Sequence, residues 1–157
     1  MSKTTHRKLD LDEYFTYLNN TLNETKDTRT LVILSHLFVE YWINEKLIQS
    51  LNTHTKILKY DFNKKLEILD ALGVFKDKKE LITNIEIINK LRNICAHTLI
   101  APEINKKINE IPLLEVYYTN AGYASNPESI SQFKAKLIST ILALSDYAKT
   151  NILDVRL

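Results

Sequence analysis

ELITNIEIINKLRNICAH, residues 80–97, is the stretch on which the fold is decided. Leu81, Ile85, Ile88, Leu91 and Cys95 recur at steps of three and four, which puts them on one stripe of an α-helix. The same segment ends in a cation, an amide and an imidazole: Arg92, Asn93 and His97. Arginine is scarce, found only at Arg7, Arg29, Arg92 and Arg156, and Arg92 alone lies inside a strongly apolar periodic run. A polar trio at the end of a core helix needs a reason, either chemical or structural.

The bulk properties fit a helical reading. A chain of 157 residues is long enough for one domain with a sizeable core. Two glycines and three prolines are too few turn residues for a many-stranded sheet. A formal charge of +2 makes no general case for nucleic-acid binding, so any such contact must come from a local patch. Cys95 is the single cysteine, which excludes an intrachain disulfide and a cysteine-based zinc site. Residues 1–12 are polar and lack the apolar core of a signal peptide, and Ser35, His36 and Glu40 interrupt the greasy run from Leu31 to Ile43. A cytoplasmic protein with no membrane span is expected.

A first helix is expected over Leu11–Leu22, with Leu11, Tyr14, Phe15 and Leu18 on one stripe. A second is expected over about Thr28–Leu51, opened by Asp27 or Thr28 as cap and apolar on most sides. Its polar exceptions, Arg29, His36, Glu40 and Asn44, form one narrow stripe. A third spans Asp61–Leu72, with Phe62, Leu66, Leu69 and Leu72 facing one way and Gly73 as a left-handed cap. Glu80–His97 is the fourth. From Leu99 to Asn126 the pattern degrades around Pro102, Pro112 and Gly122, although 104–111 has the pattern of a short helix. A last helix is expected over about 127–152, with Ser125 and Glu128 as a capping box and Phe133, Leu137, Ile141, Leu144 and Ala148 on its buried face. The expectation is a single all-α domain over 1–157, a bundle of five or six helices.

Asn93 and His97 are four apart and share a helix face, and the long Arg92 side chain can swing toward it. A guanidinium offers paired donors to phosphate oxygens, and an imidazole can give and take protons near neutrality. Those are the parts for RNA cleavage in which the ribose 2′-hydroxyl attacks the adjacent phosphodiester. One Arg and one His are thin equipment, so two copies across a twofold axis belong to the hypothesis. The structural alternative is that Arg92 pairs with a carboxylate such as Glu40 and His97 caps its helix. His36 and Glu40 form either a second wall facing Arg92 or the solvated face of their helix. As an i, i+4 pair they lack a third ligand, so no metal and no cofactor are expected. Tyr117, Tyr118 and Tyr123 could stack on bases or pack the connection. Lys64-Lys65, Lys76 to Lys79 and Lys106-Lys107 read as solvated helix ends.

Arg92-Asn93 followed by His97 at the end of a bundle helix resembles the signature of the HEPN superfamily of helical domains. Two longer blocks extend the resemblance: YDFNKKLEILDALG at 60–73 and INKLRNICAH at 88–97. Phe62-x-x-Lys65, Ala71-Leu72-Gly73 and Ile88-x-x-x-Arg92-Asn93-x-x-Ala96-His97 follow in the order seen in the mannitol-operon repressor (MltR)-like type. The likeness covers about 29–98, leaving the irregular connection 99–126 and the C-terminal helix 127–152 outside it. It implies that Arg92 and His97 form a metal-independent endoribonuclease site, with Asn93 as polar neighbour and His36 and Glu40 in support. It implies a homodimer that joins two motifs and acts on RNA in a toxin–antitoxin or phage-defence setting. The MltR-like branch implies the alternative: a non-enzymatic module that binds a cognate protein partner, as a transcriptional regulator, an antitoxin or an immunity protein.

Overall fold

The computed structural model describes residues 11–51, 56–97, 106 and 129–145. They form α1 (Leu11–Glu24), α2 (Thr28–Leu51), a 3-10 turn (Ile57–Lys59), α3 (Phe62–Ala71), α4 (Lys79–His97) and α5 (Ser129–Leu144). The fold is an all-α bundle, with no strand among the described residues. None of the described helices is long and apolar enough to cross a membrane.

α2 is the centre, packing against α1, α3, α4 and α5. Leu31, Val32, Val39, Ile43 and Leu47 are buried on it, together with Trp42. Its start is fixed locally: the Asp27 carboxylate accepts from the Thr30 backbone N–H at 2.9 Å and from the Thr30 hydroxyl at 2.6 Å. Those two bonds, the side-chain one first, hold the Asp27 carboxyl below its ordinary value.

α4 buries the expected seam, Leu81, Ile85, Ile88, Leu91 and Cys95, against α2 and α5. From α5, Phe133, Leu137, Ile141 and Leu144 complete the core, with Leu18 and Leu22 of α1. Buried polar groups are bonded across it: Asn84 donates to the Thr140 hydroxyl at 2.8 Å, and Thr140 donates to the Lys136 carbonyl at 2.8 Å.

α3 is the short wall of the bundle. Asp61 caps it, its carboxylate accepting from the Lys64 N–H at 2.8 Å. Phe62, Leu66 and Leu69 are buried, whereas Leu72 is 47% exposed because the helix has already ended at Ala71. Gly73 follows at φ +79°, the left-handed cap expected of it. The expectations for 99–126 lie outside the described residues, apart from Lys106, as do the Ser125–Glu128 box and Ala148.

Candidate functional site

Between α2, α3 and α4 lies an open groove of about 470 Å³. That is ample for a small ligand, whose pockets run from about 300 to 1,000 Å³. His36 and Glu40 come from α2, Phe62, Asn63 and Glu67 from α3, and Asn89, Arg92 and Asn93 from α4. The apolar stripes of the three helices pack together beneath, and polar residues at the edges of those stripes line the groove.

His36 is only 6% exposed and packs on Phe62, ring centroids 4.7 Å apart. Its Nε2 is 3.0 Å from Oδ1 of Asn89, and the Asn89 amide donates to Oδ1 of Asn63 at 3.1 Å. With the Asn89 N–H₂ committed to Asn63, its carbonyl end can only accept from His36. The neutral imidazole therefore carries its proton on Nε2 and turns an unprotonated Nδ1 toward Glu40, 4.0 Å away. Burial pushes the His36 pKa below the ordinary imidazole value. The Asn89 bond and the Glu40 charge oppose that shift, while Arg92 and Lys65 reinforce it.

Glu40 accepts from the Lys65 ammonium at 3.2 Å. The Lys65 side chain is 3% exposed against 34% for Glu40, so the cation is sealed while the carboxylate keeps one side on the groove. This corrects two sequence expectations. Lys65 is not a solvated helix end, and the partner of Glu40 is Lys65 rather than Arg92. The signal was present in the spacing: Phe62, Lys65 and Leu69 fall at i, i+3 and i+7, one helix face. Asn63 and Asn89 were also missed, although Asn89 lies three before Arg92 on the same side of α4.

Arg92 and Asn93 stand exposed at the mouth of the groove, Arg92 Nη1 donating to Asn93 Oδ1 at 3.1 Å. Arg92 has no carboxylate partner among the described residues. His97 is the last residue of α4, exposed, and is not among the groove's lining residues. It lies one turn, about 6 Å, beyond Asn93 along the same helix face. His36 and Glu40 form the floor and so come together with Arg92 and Asn93. Arg29 does not join them: it donates to the Cys95 carbonyl at 3.2 Å. Asn44 Oδ1 is buried with no hydrogen-bond partner among the described residues. Nor do any three His, Cys, Asp or Glu side chains among those residues gather as a metal site.

No family model matches this chain, and no curated protein or solved structure is detectably similar to it.

Proposed function

We propose that this chain is a metal-independent endoribonuclease of the HEPN kind, acting as a homodimer in a toxin–antitoxin or phage-defence setting. One observation carries the reading: α4 is buried along its seam, yet it presents Arg92 and Asn93 to solvent at the mouth of a polar groove. A guanidinium whose one bond among the described residues is to a neutral amide keeps most of its donors for phosphate oxygens. A purely structural arginine would be expected to meet a carboxylate, and Glu40 is already taken by Lys65.

In the proposed reaction the 2′-hydroxyl oxygen attacks the adjacent phosphorus. A P–O2′ bond forms and the P–O5′ bond breaks, leaving a 2′,3′-cyclic phosphate and a 5′-hydroxyl. His97 of one subunit takes the 2′-hydroxyl proton, and the second copy's imidazole gives one to the departing 5′-oxygen. Arg92 stabilises the charge on the pentacovalent phosphate, and Asn93 positions the scissile group. Exposed Ile33 and Leu37 on α2, and Tyr17 of α1 packed near Phe38, offer apolar surface on which a second subunit can sit. The same surface is what a non-enzymatic, MltR-like binding module would use for a protein partner.

The test is incubation of purified protein with labelled RNA in EDTA, alongside Arg92→Ala and His97→Ala. Wild type should cleave, and each variant should lose about a hundredfold or more. Both side chains are exposed, so neither variant should unfold. No cleavage by wild type, or equal cleavage by all three proteins, rejects the enzyme and leaves the binding module.

A further inference from the structure

The floor of the groove carries two hydrogen-bond acceptors that face each other, and among the described residues no donor lies between them. One is Nδ1 of His36, left unprotonated because Nε2–H serves Asn89. The other is Oε2 of Glu40, since Lys65 binds Oε1. They stand 4.0 Å apart, too far to bond directly and with no shared proton to bond through. Both are held in place, the imidazole by burial against Phe62 and the carboxylate by a sealed ammonium. A single N–H₂ group set between them would satisfy both acceptors at once.

We propose that this groove reads a guanine base, with Glu40 and His36 receiving its exocyclic amine and Glu40 also accepting from the adjacent ring N–H. This rests on the RNA-cleaving reading and adds a substrate preference to it. The argument is one of donor pattern. Guanine alone among the four RNA bases places an amino group beside a ring N–H, two neighbouring donors that match a carboxylate. Adenine and cytosine have the amine, but the ring nitrogen next to it is an acceptor and meets the carboxylate with like polarity. Uracil offers one N–H flanked by two carbonyl oxygens, which Glu40 and His36 both repel.

The rest of the lining fits the same ligand. Asn63 uses only its carbonyl end toward Asn89 among the described bonds, so its N–H₂ is left to face a base carbonyl. Glu40, Asp61 and Glu67 against Lys64 and Arg92 leave the lining without excess positive charge, a poor bed for a polyanion but suitable for a neutral base. The phosphate that follows the base would then lie outside the groove, on the Arg92–His97 face.

Binding of mononucleotides tests this without needing catalysis. Titrate the full chain with guanosine, inosine and uridine 3′-monophosphates, following amide shifts by NMR. Guanosine should bind at least about tenfold tighter than uridine, and inosine, lacking the amine, should fall toward uridine, a loss of the size of one or two hydrogen bonds. Glu40→Gln keeps a carbonyl for Lys65 but puts a donor where the amine must sit, so it should abolish the preference. Should that variant fold poorly, Glu40→Gln with Lys65→Met removes the stranded ammonium and asks the same question. Equal binding of guanosine and uridine, or a preference that survives in a folded variant, overturns the proposal. Cleavage of RNA without preference for cuts after guanosine would overturn it and leave the nuclease standing. Guanosine-selective binding with no RNA cleavage would do the reverse.

Discussion

The Glu40–Lys65 pair should respond unequally to the loss of its two members. Lys65 is sealed, with a side chain 3% exposed, while Glu40 keeps about a third of its surface, 34%, toward the groove. Glu40→Ala strands an ammonium where water does not reach. Breaking a fully buried pair in this way costs about 3–5 kcal/mol, and the open side of Glu40 lowers the expectation here to about 2–4 kcal/mol. Lys65→Met keeps the apolar stem packed and leaves a carboxylate that water in the groove can solvate, so about 1 kcal/mol is expected. The double variant removes both charges and should cost less than the sum of the two, by about 1–3 kcal/mol. At this chain length each kcal/mol moves Tm by about 2–4 °C, so the single variants should separate clearly in thermal and urea melts. Lys65→Met costing as much as Glu40→Ala, or two additive losses, would refute the picture of a sealed cation serving a half-open carboxylate.

Protonation of His36 is disfavoured in the fold by burial, so the unfolded chain binds that proton more readily. Its contribution to stability should be complete above the ordinary imidazole pKa of about 6.5 and lost as pH falls through the lower folded value. Tm measured from pH 8 to 5 should therefore decline more steeply in wild type than in His36→Gln, and parallel curves would contradict the buried neutral imidazole. At Gly73, φ is +79° and an added Cβ would meet nothing within 4 Å. Gly73→Ala should then cost only the left-handed backbone penalty, about 1–2 kcal/mol, and Gly73→Asn less; a larger loss in a urea melt would mean a clash that the geometry does not contain.

The helices were legible because local chemistry marks their ends. Asp27 and Thr30 close the start of α2, Asp61 starts α3, and Gly73 stops the chain from continuing it. The pattern of α2, apolar on most sides, fits a helix with neighbours around it, and four other helices pack against it. The site was legible only in part. Arg92, Asn93, His36 and Glu40 declared themselves as polar residues in greasy segments, and all four line one groove. Which partners they take was not readable, because pairing depends on how helices far apart in sequence are set against each other. Lys65 looked like half of an exposed lysine pair, yet its position three after Phe62 turns it inward while Lys64 stays out, 57% exposed. Asn89 was hidden for a similar reason: its partners, His36 and Asn63, are 53 and 26 residues away.

The bond from Arg29 to the Cys95 carbonyl ties the first turn of α2 to the last turn of α4, two residues before His97. It works as a brace on the end of the helix that carries the imidazole. Carbonyls in a final turn have no helical N–H to bind, and a cation there also answers the negative pole of the helix. A scan that replaces arginines one at a time would thus find two sensitive positions near this face and could assign chemistry to both. Arg29 would be a decoy, since its loss would let the end of α4 fray and the imidazole wander while every group in the groove stayed in place.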